Sequence, residues 1–256
     1  MTTIPPGCYP VCIRIYHFLN STKGEKTMVI KEKMNSEKNT PRYLGAAFLL
    51  QAVASAVAGL VLLRPLIVPN NIIASMTNMS NNALQVRAGI VVEMVTVIAL
   101  VILSVLFYVL LRQQNRNIAL VALGLRIVEV ALLAVSRIAT FSLLHISQES
   151  VLAGHPDYLQ TLGNLAFETQ EIAYSLSMVF FTLGGTLFYY LLFKSRYVPR
   201  ALSIFGLIAA PMSLIGELIS LLGFAVPLFV FLPNLPFELA IGLWLLVKGA
   251  RNTETS

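Results

Sequence analysis

Six long apolar stretches constrain this chain more than any other feature of its sequence. A membrane-spanning helix needs about 20 mostly apolar residues, and soluble domains carry about 25% charged residues. Here 57% of the 256 residues are hydrophobic and only 12% are charged. We therefore predict an all-α fold, a polytopic membrane bundle of six transmembrane helices within residues 42–250. The predicted spans are residues 44–63, 88–111, 118–145, 172–193, 201–224 and 233–247.

The basic residues predict how this bundle is oriented. Most of the 18 lysine and arginine residues precede span 1, follow span 6, or lie in the links between spans 2 and 3 and between spans 4 and 5. The link between spans 3 and 4 is instead acidic, with Glu149, Asp157 and Glu168. Lysine and arginine collect on the cytoplasmic side of membrane proteins. This pattern predicts that both termini are cytoplasmic and that the protein is multi-pass in the cytoplasmic (inner or plasma) membrane.

The residues before span 1 form a region of different composition. Residues 1–41 combine prolines with a lysine-rich run, which is typical of a disordered tail. A start near Met34 fits the sequence better than one at Met1, so we expect the basic tail to be a mis-assigned extension. Cys8 and Cys12 have a spacing that matches no common zinc or redox pattern.

Span 3 carries three charged residues, Arg126, Glu129 and Arg137, in an otherwise apolar helix. A charge at the centre of a bilayer costs at least ~2.5–3.5 kcal/mol, so such residues usually face protein or water. Each residue of a helix turns by about 100°. With Ser136 and Thr140, the three charges fall within an arc of about 100°. The sequence therefore predicts that this face of span 3 points into the bundle.

The other spans carry single acids that could meet the span 3 face. Glu93 lies in span 2 and Glu217 in span 5, and neither has a partner within one turn of its own helix. We predict that one of them pairs with Arg137. Span 4 has a polar stripe, for which we predict hydrogen bonds to neighbouring helices. Its members are Glu171, Ser175, Thr182, Thr186 and Tyr189.

Two of these charged sites have purely structural interpretations. Arg126 and Glu129 are three residues apart and can pair along their own helix. Glu238 follows Asn234 and Pro236 near the predicted outer end of span 6. An acid in the first turn of a helix is favoured by the helix dipole, which would explain Glu238 without a binding role.

The usual signatures of cofactor and enzyme sites are missing from the spans. They contain no lysine for a Schiff base and a single histidine, His145, which is too few for bis-histidine haem or three-histidine zinc. No serine–histidine or serine–lysine pair is apparent. We expect no cofactor, no metal and no nucleic acid partner, and the sequence leans away from an enzyme.

Three functional hypotheses remain. The leading one is a protein that binds or transports a small molecule or ion in an outward-facing polar cavity within the lipid bilayer. Its predicted binding residues are Arg126, Glu129, Arg137, Glu93 and Glu217, with Glu171, Thr140 and Glu238 as secondary candidates. The alternatives are a non-catalytic structural or regulatory membrane subunit and an intramembrane enzyme of unknown reaction. The oligomeric state stays open.

Four stretches of the chain resemble a bacterial and archaeal membrane family known as domain of unknown function 4386. They read RYLGAAFLLQAVASAVAG, VLLRQQNRNIALVALGLRIVEV, VFFTLGGTLFYYLLFKSRYVPRALSIFGLIA and ELAIGLWLLVKG, within residues 42–249. The resemblance places Arg126 at the family's arginine after the NRN turn and Glu238 at the glutamate of its closing motif. Where family members often carry a histidine before the VFF motif, this chain has Glu168 and Glu171. The resemblance implies the six-helix architecture and no particular activity.

Overall fold

The computed structural model describes residues 40–249, which are helical over most of their length and contain no strand. Six crossings are long and apolar enough to span a membrane, which confirms the predicted number. Five of them are α1 (Thr40–Leu66), α3 (Ala83–Leu111), α4 (Arg116–Leu152), α5 (Asp157–Ser195) and α6 (Arg200–Leu221). The sixth, Leu228–Lys248, begins with a 3-10 turn and continues as α7 (Asn234–Lys248). The tail and start site predicted before residue 40 lie outside the described residues.

A short seventh helix, α2 (Ile72–Asn81), lies between the first two crossings and was not predicted. The Asn71 side chain caps its first turn by accepting a hydrogen bond of 2.9 Å from the backbone N–H of Ala74. The apolar side of α2 packs on α4 and α5 through Met76, which is fully buried. A Cβ atom added at Gly163 of α5 would lie 2.6 Å from the sulfur of Met76. Because Gly163 has no side chain, Met76 can pack directly against α5, and this fixes the position of α2.

The α4–α5 pair forms a hairpin longer than a membrane is thick. The two helices have 37 and 39 residues, roughly 55 Å each at 1.5 Å per residue, whereas the hydrocarbon core is about 30 Å thick. The hairpin therefore projects from the membrane at its tip. The acidic residues predicted between spans 3 and 4 lie in these extended helices, Glu149 in α4 and Glu168 in α5, and only residues 153–156 connect the two helices. Polar residues continue a helix once it has left the lipid.

The two ends of the bundle have separate apolar cores. We call the end where α1 begins and α7 ends the terminal end, and the opposite one the hairpin end. The core at the terminal end is built around stacked rings of Phe107 and Phe188, whose centroids are 4.7 Å apart. The core at the hairpin end joins α2 to the hairpin through Met76, Leu143 and Leu144. Polar residues occupy the region between these cores.

Helices α1 and α7 approach closely because glycines line their contact. A Cβ atom on Gly45 would overlap the backbone nitrogen of Leu246 and lie 2.6 Å from the carbonyl oxygen of Gly242. Small residues at such crossings let helix backbones come together within a membrane. This close crossing sets the position of the polar side chains that follow on the two helices.

Candidate functional site

The polar face of α4 points into the bundle, as its spacing predicted. Its five members, Arg126, Glu129, Ser136, Arg137 and Thr140, are all buried, with exposures between 0% and 7%. Because a buried charge is costly without partners, the contacts of each member show what the interior is built to hold.

Arg126 and Glu129 form an ion pair along α4. Arg126 Nη1 lies 2.9 Å from Glu129 Oε2, which agrees with the structural interpretation of this pair. The N–H of Nη1 is not directed at the carboxyl oxygen, however. Arg126 Nε and Nη1 and Glu129 Oε2 are therefore buried without a hydrogen-bond partner. The pair neutralises charge but leaves polar atoms of both side chains unused.

The stem and head of Arg126 are held by α5. The guanidinium carbon lies 4.8 Å from the centroid of the Phe181 ring, in a cation–π arrangement. A Cβ atom on Gly184 would come within 3.0 Å of Arg126 Cγ and Cδ. The glycine thus makes room for the arginine stem where α4 and α5 pack together.

Glu238 is bound by α1, and this corrects our interpretation of it. Gln51 Nε2 donates a hydrogen bond of 2.8 Å to Glu238 Oε2 between two buried side chains. The first turn of α7 contains no acidic residue, and Glu238 lies midway along the crossing Leu228–Lys248. The helix dipole therefore does not account for Glu238, and its predicted position in the outer turn was wrong.

These groups belong to one assembly, which we call the terminal-side cluster: Arg126, Glu129, Glu238, Gln51 and Tyr189. Glu238 lies within electrostatic range of both Arg126 and Glu129. Tyr189 of α5 lies within range of all three charged groups. One cation and two acids, none more than 9% exposed, therefore lie within electrostatic range of one another among α1, α4, α5 and α7.

Arg137 has different surroundings, a polar network between α4 and α5. Its Nη2 donates a hydrogen bond of 2.9 Å to Ser136 Oγ, which in turn donates to the carbonyl oxygen of Gln170 at 3.0 Å. Thr140 Oγ1 donates to Gln170 Oε1 at 2.9 Å. The Nε atom of Arg137 is buried with no hydrogen-bond partner. The network fixes the orientation of Arg137 without using its remaining donors.

Charged groups on four helices interact electrostatically with Tyr174 near the hairpin end, although this residue is 42% exposed. It lies within electrostatic range of Glu93 on α3, Arg137 on α4, Glu171 on α5 and Glu217 on α6. Glu93 itself lies within range of Arg137. No nitrogen of Arg137 lies within 4.0 Å of a carboxyl oxygen among the described residues. We call these five residues the hairpin-side cluster.

The structure thus divides the predicted single site into two clusters. Arg126 and Arg137 are eleven residues apart on α4, which corresponds to about 16 Å along the helix axis. Leu133 is buried on the same face between them. Arg137, Glu93, Glu217 and Glu171 each interact electrostatically with Tyr174 at one level of the bundle. The structure places Arg126, Glu129 and Glu238 at another.

The predicted polar stripe of α5 does not bind other helices as expected. The Thr182 hydroxyl donates to the carbonyl oxygens of Met178 or Val179, and the Thr186 hydroxyl donates to that of Thr182. Glu171 is exposed. Threonine in a helix often satisfies its hydroxyl on the preceding turn, and this removes the need for a partner on another helix.

Three neutral residues in or beside the clusters were not predicted, because the sequence analysis selected charged residues. Gln51 is an amide in the middle of span 1, and a polar residue in a segment otherwise free of charge was the available signal. Gln170 and Tyr174 lie where α5 enters the apolar region. Glutamine and tyrosine are common at such a boundary, so nothing in the sequence marks these two residues as part of a site. Their importance depends on what lies opposite them.

An apolar pocket lies apart from both clusters. It has a volume of about 280 Å³ and is bounded by α6 and the link to α7, with Ile215, Ile219 and Pro227 in its lining. Its lining contains no charged residue. Within residues 40–249, no group of three or more histidine, cysteine, aspartate or glutamate residues is arranged to hold a metal ion.

Six apolar crossings whose interior holds buried charged residues define the class: this is an integral, multi-pass membrane protein. The chain belongs to the family described as domain of unknown function 4386, whose model matches residues 43–249. The resemblance inferred from the sequence is thereby confirmed. Searches of curated proteins and of solved structures found no match.

Proposed function

We propose that this protein binds a small molecule or ion inside the membrane, at the hairpin-side cluster, as a binding protein or transporter. The observation that carries the proposal is the Nε atom of Arg137, which is buried without a hydrogen-bond partner, while charged groups of α3, α5 and α6 interact electrostatically with Tyr174. Ionisable residues within a membrane are expensive, and they commonly mark the paths of substrates or ions. A purely structural role would need only pairs between neighbouring helices.

The state of Arg137 supports a ligand rather than a closed ion pair. Its side chain is 7% exposed, yet its single hydrogen bond goes to a neutral hydroxyl. Glu93 is 8% exposed and makes no hydrogen bond to another described residue. Two opposite charges that are both buried gain most from direct contact. Their separation leaves binding capacity for a third group.

The cluster opens towards the hairpin end. Glu217 is half-buried and Glu171 is exposed, whereas Glu93 and Arg137 lie deeper. The distribution of basic residues favours termini in the cytoplasm and the cytoplasmic membrane as the location. In that orientation the hairpin end faces the outside of the cell, and the proposed site would be reached from that side.

We place the terminal-side cluster at the inner end of a transport path that would begin at the hairpin-side cluster. It lies about 16 Å further along α4, beyond the buried Leu133, and is enclosed on all sides. A transporter that is open to one side of the membrane has one polar site accessible from that side and a second polar site closed off from it. The two clusters are compatible with this arrangement. Transport would require Leu133 and its neighbours to separate.

The proposal is tested by ligand-dependent stability of the purified protein in detergent. A library of amino acids, amines, organic acids and alkali cations is added singly, and the melting temperature is followed. A ligand that binds the folded state raises the melting temperature. We expect at least one class to do so for the unmodified protein and for the Arg112→Gln control, whose arginine is exposed. We expect the effect to vanish in Arg137→Gln.

An equal shift in both variants, or no shift with any compound, would contradict the proposal. Metabolite profiling of a deletion strain gives an independent measure, because a transporter for a small molecule should alter the pool of its substrate.

A second candidate is a non-catalytic structural or regulatory membrane subunit. Two observations favour it. The Arg126–Glu129 pair neutralises charge within one helix, and the Gln51–Glu238 bond joins two others, and neither needs a ligand. On this reading both clusters contribute only to stability, and no small molecule changes the melting temperature.

A further inference from the structure

We infer that the terminal-side cluster is a proton-binding site and that Glu238 is the group that holds the proton. This part of the molecule is separate from the hairpin-side cluster, so the inference does not depend on the ligand proposed there. It follows from the depth of Glu238 in the membrane, from its burial and from the groups that the neighbouring helices present to it.

Glu238 lies at the least favourable depth for a charge. The crossing Leu228–Lys248 has 21 residues, and Glu238 is the middle one. The residue is 9% exposed. A charged side chain is most costly near the centre of a bilayer, and a buried acid without a cation beside it avoids this cost by becoming neutral. The depth and burial of Glu238 therefore favour its protonated form.

No cation pairs directly with Glu238. Arg126 is within its electrostatic range, but the guanidinium lies against the other acid, with Nη1 at 2.9 Å from Glu129 Oε2. Among residues 40–249, no other basic nitrogen lies within 4.0 Å of a carboxyl oxygen. The cluster thus has one cation for two acids, and the cation is placed at Glu129. Glu238 is the acid that lacks a counter-charge.

The direct partner of Glu238 is a neutral amide. Gln51 Nε2 donates a hydrogen bond of 2.8 Å to Glu238 Oε2, and Gln51 is 6% exposed. A protonated carboxyl group has one O–H donor and keeps an oxygen that accepts, whereas a carboxylate only accepts. An amide has both a donor and an acceptor. Gln51 can therefore match both oxygens of a protonated Glu238, which it cannot do for a carboxylate.

The remaining neighbours of Glu238 supply no second cation. Residues 44–63 of α1 contain no charged residue, and α6 contains none between Arg200 and Glu217, which lie near its two ends. From α5 the titratable group is the buried Tyr189. A metal ion needs several oxygen ligands at once, and no suitable group of side chains exists within residues 40–249. A proton needs only the one carboxyl group.

A proton held at this depth would link the packing of the bundle to a proton gradient. Acids inside membrane proteins serve as proton relays in pumps and transporters. Because Glu238 joins α7 to α1 through Gln51, loss of its proton would change the contact between the first and last crossings.

The test is infrared spectroscopy of the purified full-length protein in detergent, because the stretching band of a protonated carboxyl group is separate from that of a carboxylate. At neutral pH we expect a protonated band that decreases in Glu238→Gln and is unchanged in Glu149→Gln, whose glutamate is exposed. Heavy water should shift the band, since a bound proton exchanges with solvent. Gln51→Ala should move it to higher frequency, because the carbonyl oxygen loses its hydrogen-bond donor.

A protonated band that is unchanged in Glu238→Gln, or that is lost in Glu129→Gln instead, would overturn the inference. A band that does not shift in heavy water would do the same. Sodium chloride is also compared with choline chloride at equal ionic strength. A rise in melting temperature with sodium that is absent in Glu238→Gln but present in Arg137→Gln would show a metal cation in place of the proton.

The variant at position 238 should fold, because glutamine has the size and the neutrality of a protonated glutamic acid. If Glu238→Gln nevertheless does not fold, Glu238→Asp replaces it. We then expect a protonated band of altered frequency, since the acid is kept while its distance from Gln51 changes. A band that stays at its original frequency would show that the proton is held elsewhere.

Discussion

The side-chain amide of Gln51 donates a hydrogen bond of 2.8 Å to Glu238 Oε2, and this bond joins the first crossing to the last. It lies just beyond the close approach of α1 and α7 at Gly45 and Gly242. Glu238 is in turn within electrostatic range of Arg126 on α4. The first and last crossings are thus connected through the terminal-side cluster.

Loss of the amide at position 51 should destabilise the bundle. Gln51→Ala removes the donor to a buried carboxyl group, and we expect a loss of about 1–2 kcal/mol, in line with hydrogen bonds inside membrane proteins and to charged groups. Unfolding in detergent measures it, and Gln113→Ala in the exposed α3–α4 link is the control. A double-mutant cycle with Glu238→Ala should give a clear coupling energy. A coupling near zero would show that the two side chains do not interact in the folded protein.

Breaking the ion pair on α4 should be more damaging. Glu129→Ala leaves the Arg126 guanidinium buried and unpaired, for which we expect a loss of about 3–5 kcal/mol. Replacing both residues with leucine should recover part of the loss, because the uncompensated guanidinium is gone, although the buried Glu238 then loses the arginine within its electrostatic range. Unfolding curves measure both, with the exposed Glu149→Ala on the same helix as control. No recovery in the double variant would mean that the charges have a role beyond mutual neutralisation.

A side chain at position 184 should separate α4 from α5. In Gly184→Ala the new Cβ would lie 3.0 Å from Arg126 Cγ and Cδ and 3.2 Å from the carbonyl oxygen of Ala122. We expect a loss of about 1–3 kcal/mol from overpacking. Gly124→Ala is the matched control, since nothing lies within 4 Å of its added Cβ, and a helical alanine is favoured by about 0.5–1 kcal/mol. Equal melting temperatures for the two variants would argue against the close packing at Gly184.

The orientation of the bundle can be measured by cysteine labelling. Cys8 and Cys12 are first changed to serine, because they are the only cysteines in the sequence. Single cysteines are then placed at Gly154, in the hairpin tip, and at Gln113, in the α3–α4 link. With cytoplasmic termini, a membrane-impermeant maleimide should label position 154 in intact cells and position 113 only after lysis. The reverse pattern would place the ligand site on the cytoplasmic side.

The sequence alone determined the number of crossings and the inward face of α4. Both depend on local rules, the length of apolar chain that spans a bilayer and the rotation of each residue around a helix. The same rules predicted that Arg126 can pair with Glu129, because the two residues lie three positions apart on one helix. They could not place α2 or the tip of the α4–α5 hairpin, since outside the lipid a helix no longer needs an apolar run.

Only the tertiary structure decided which helices face one another, and that changed the site. It placed Glu238 in a hydrogen bond with Gln51 and within electrostatic range of Arg126, although its position in the sequence suggested a helix terminus. It separated Arg137 from Arg126 and placed it within electrostatic range of Glu93 and the unpredicted Tyr174. A residue's own helix fixes the direction of its side chain. The groups that it meets depend on the packing of distant segments, which no local pattern encodes.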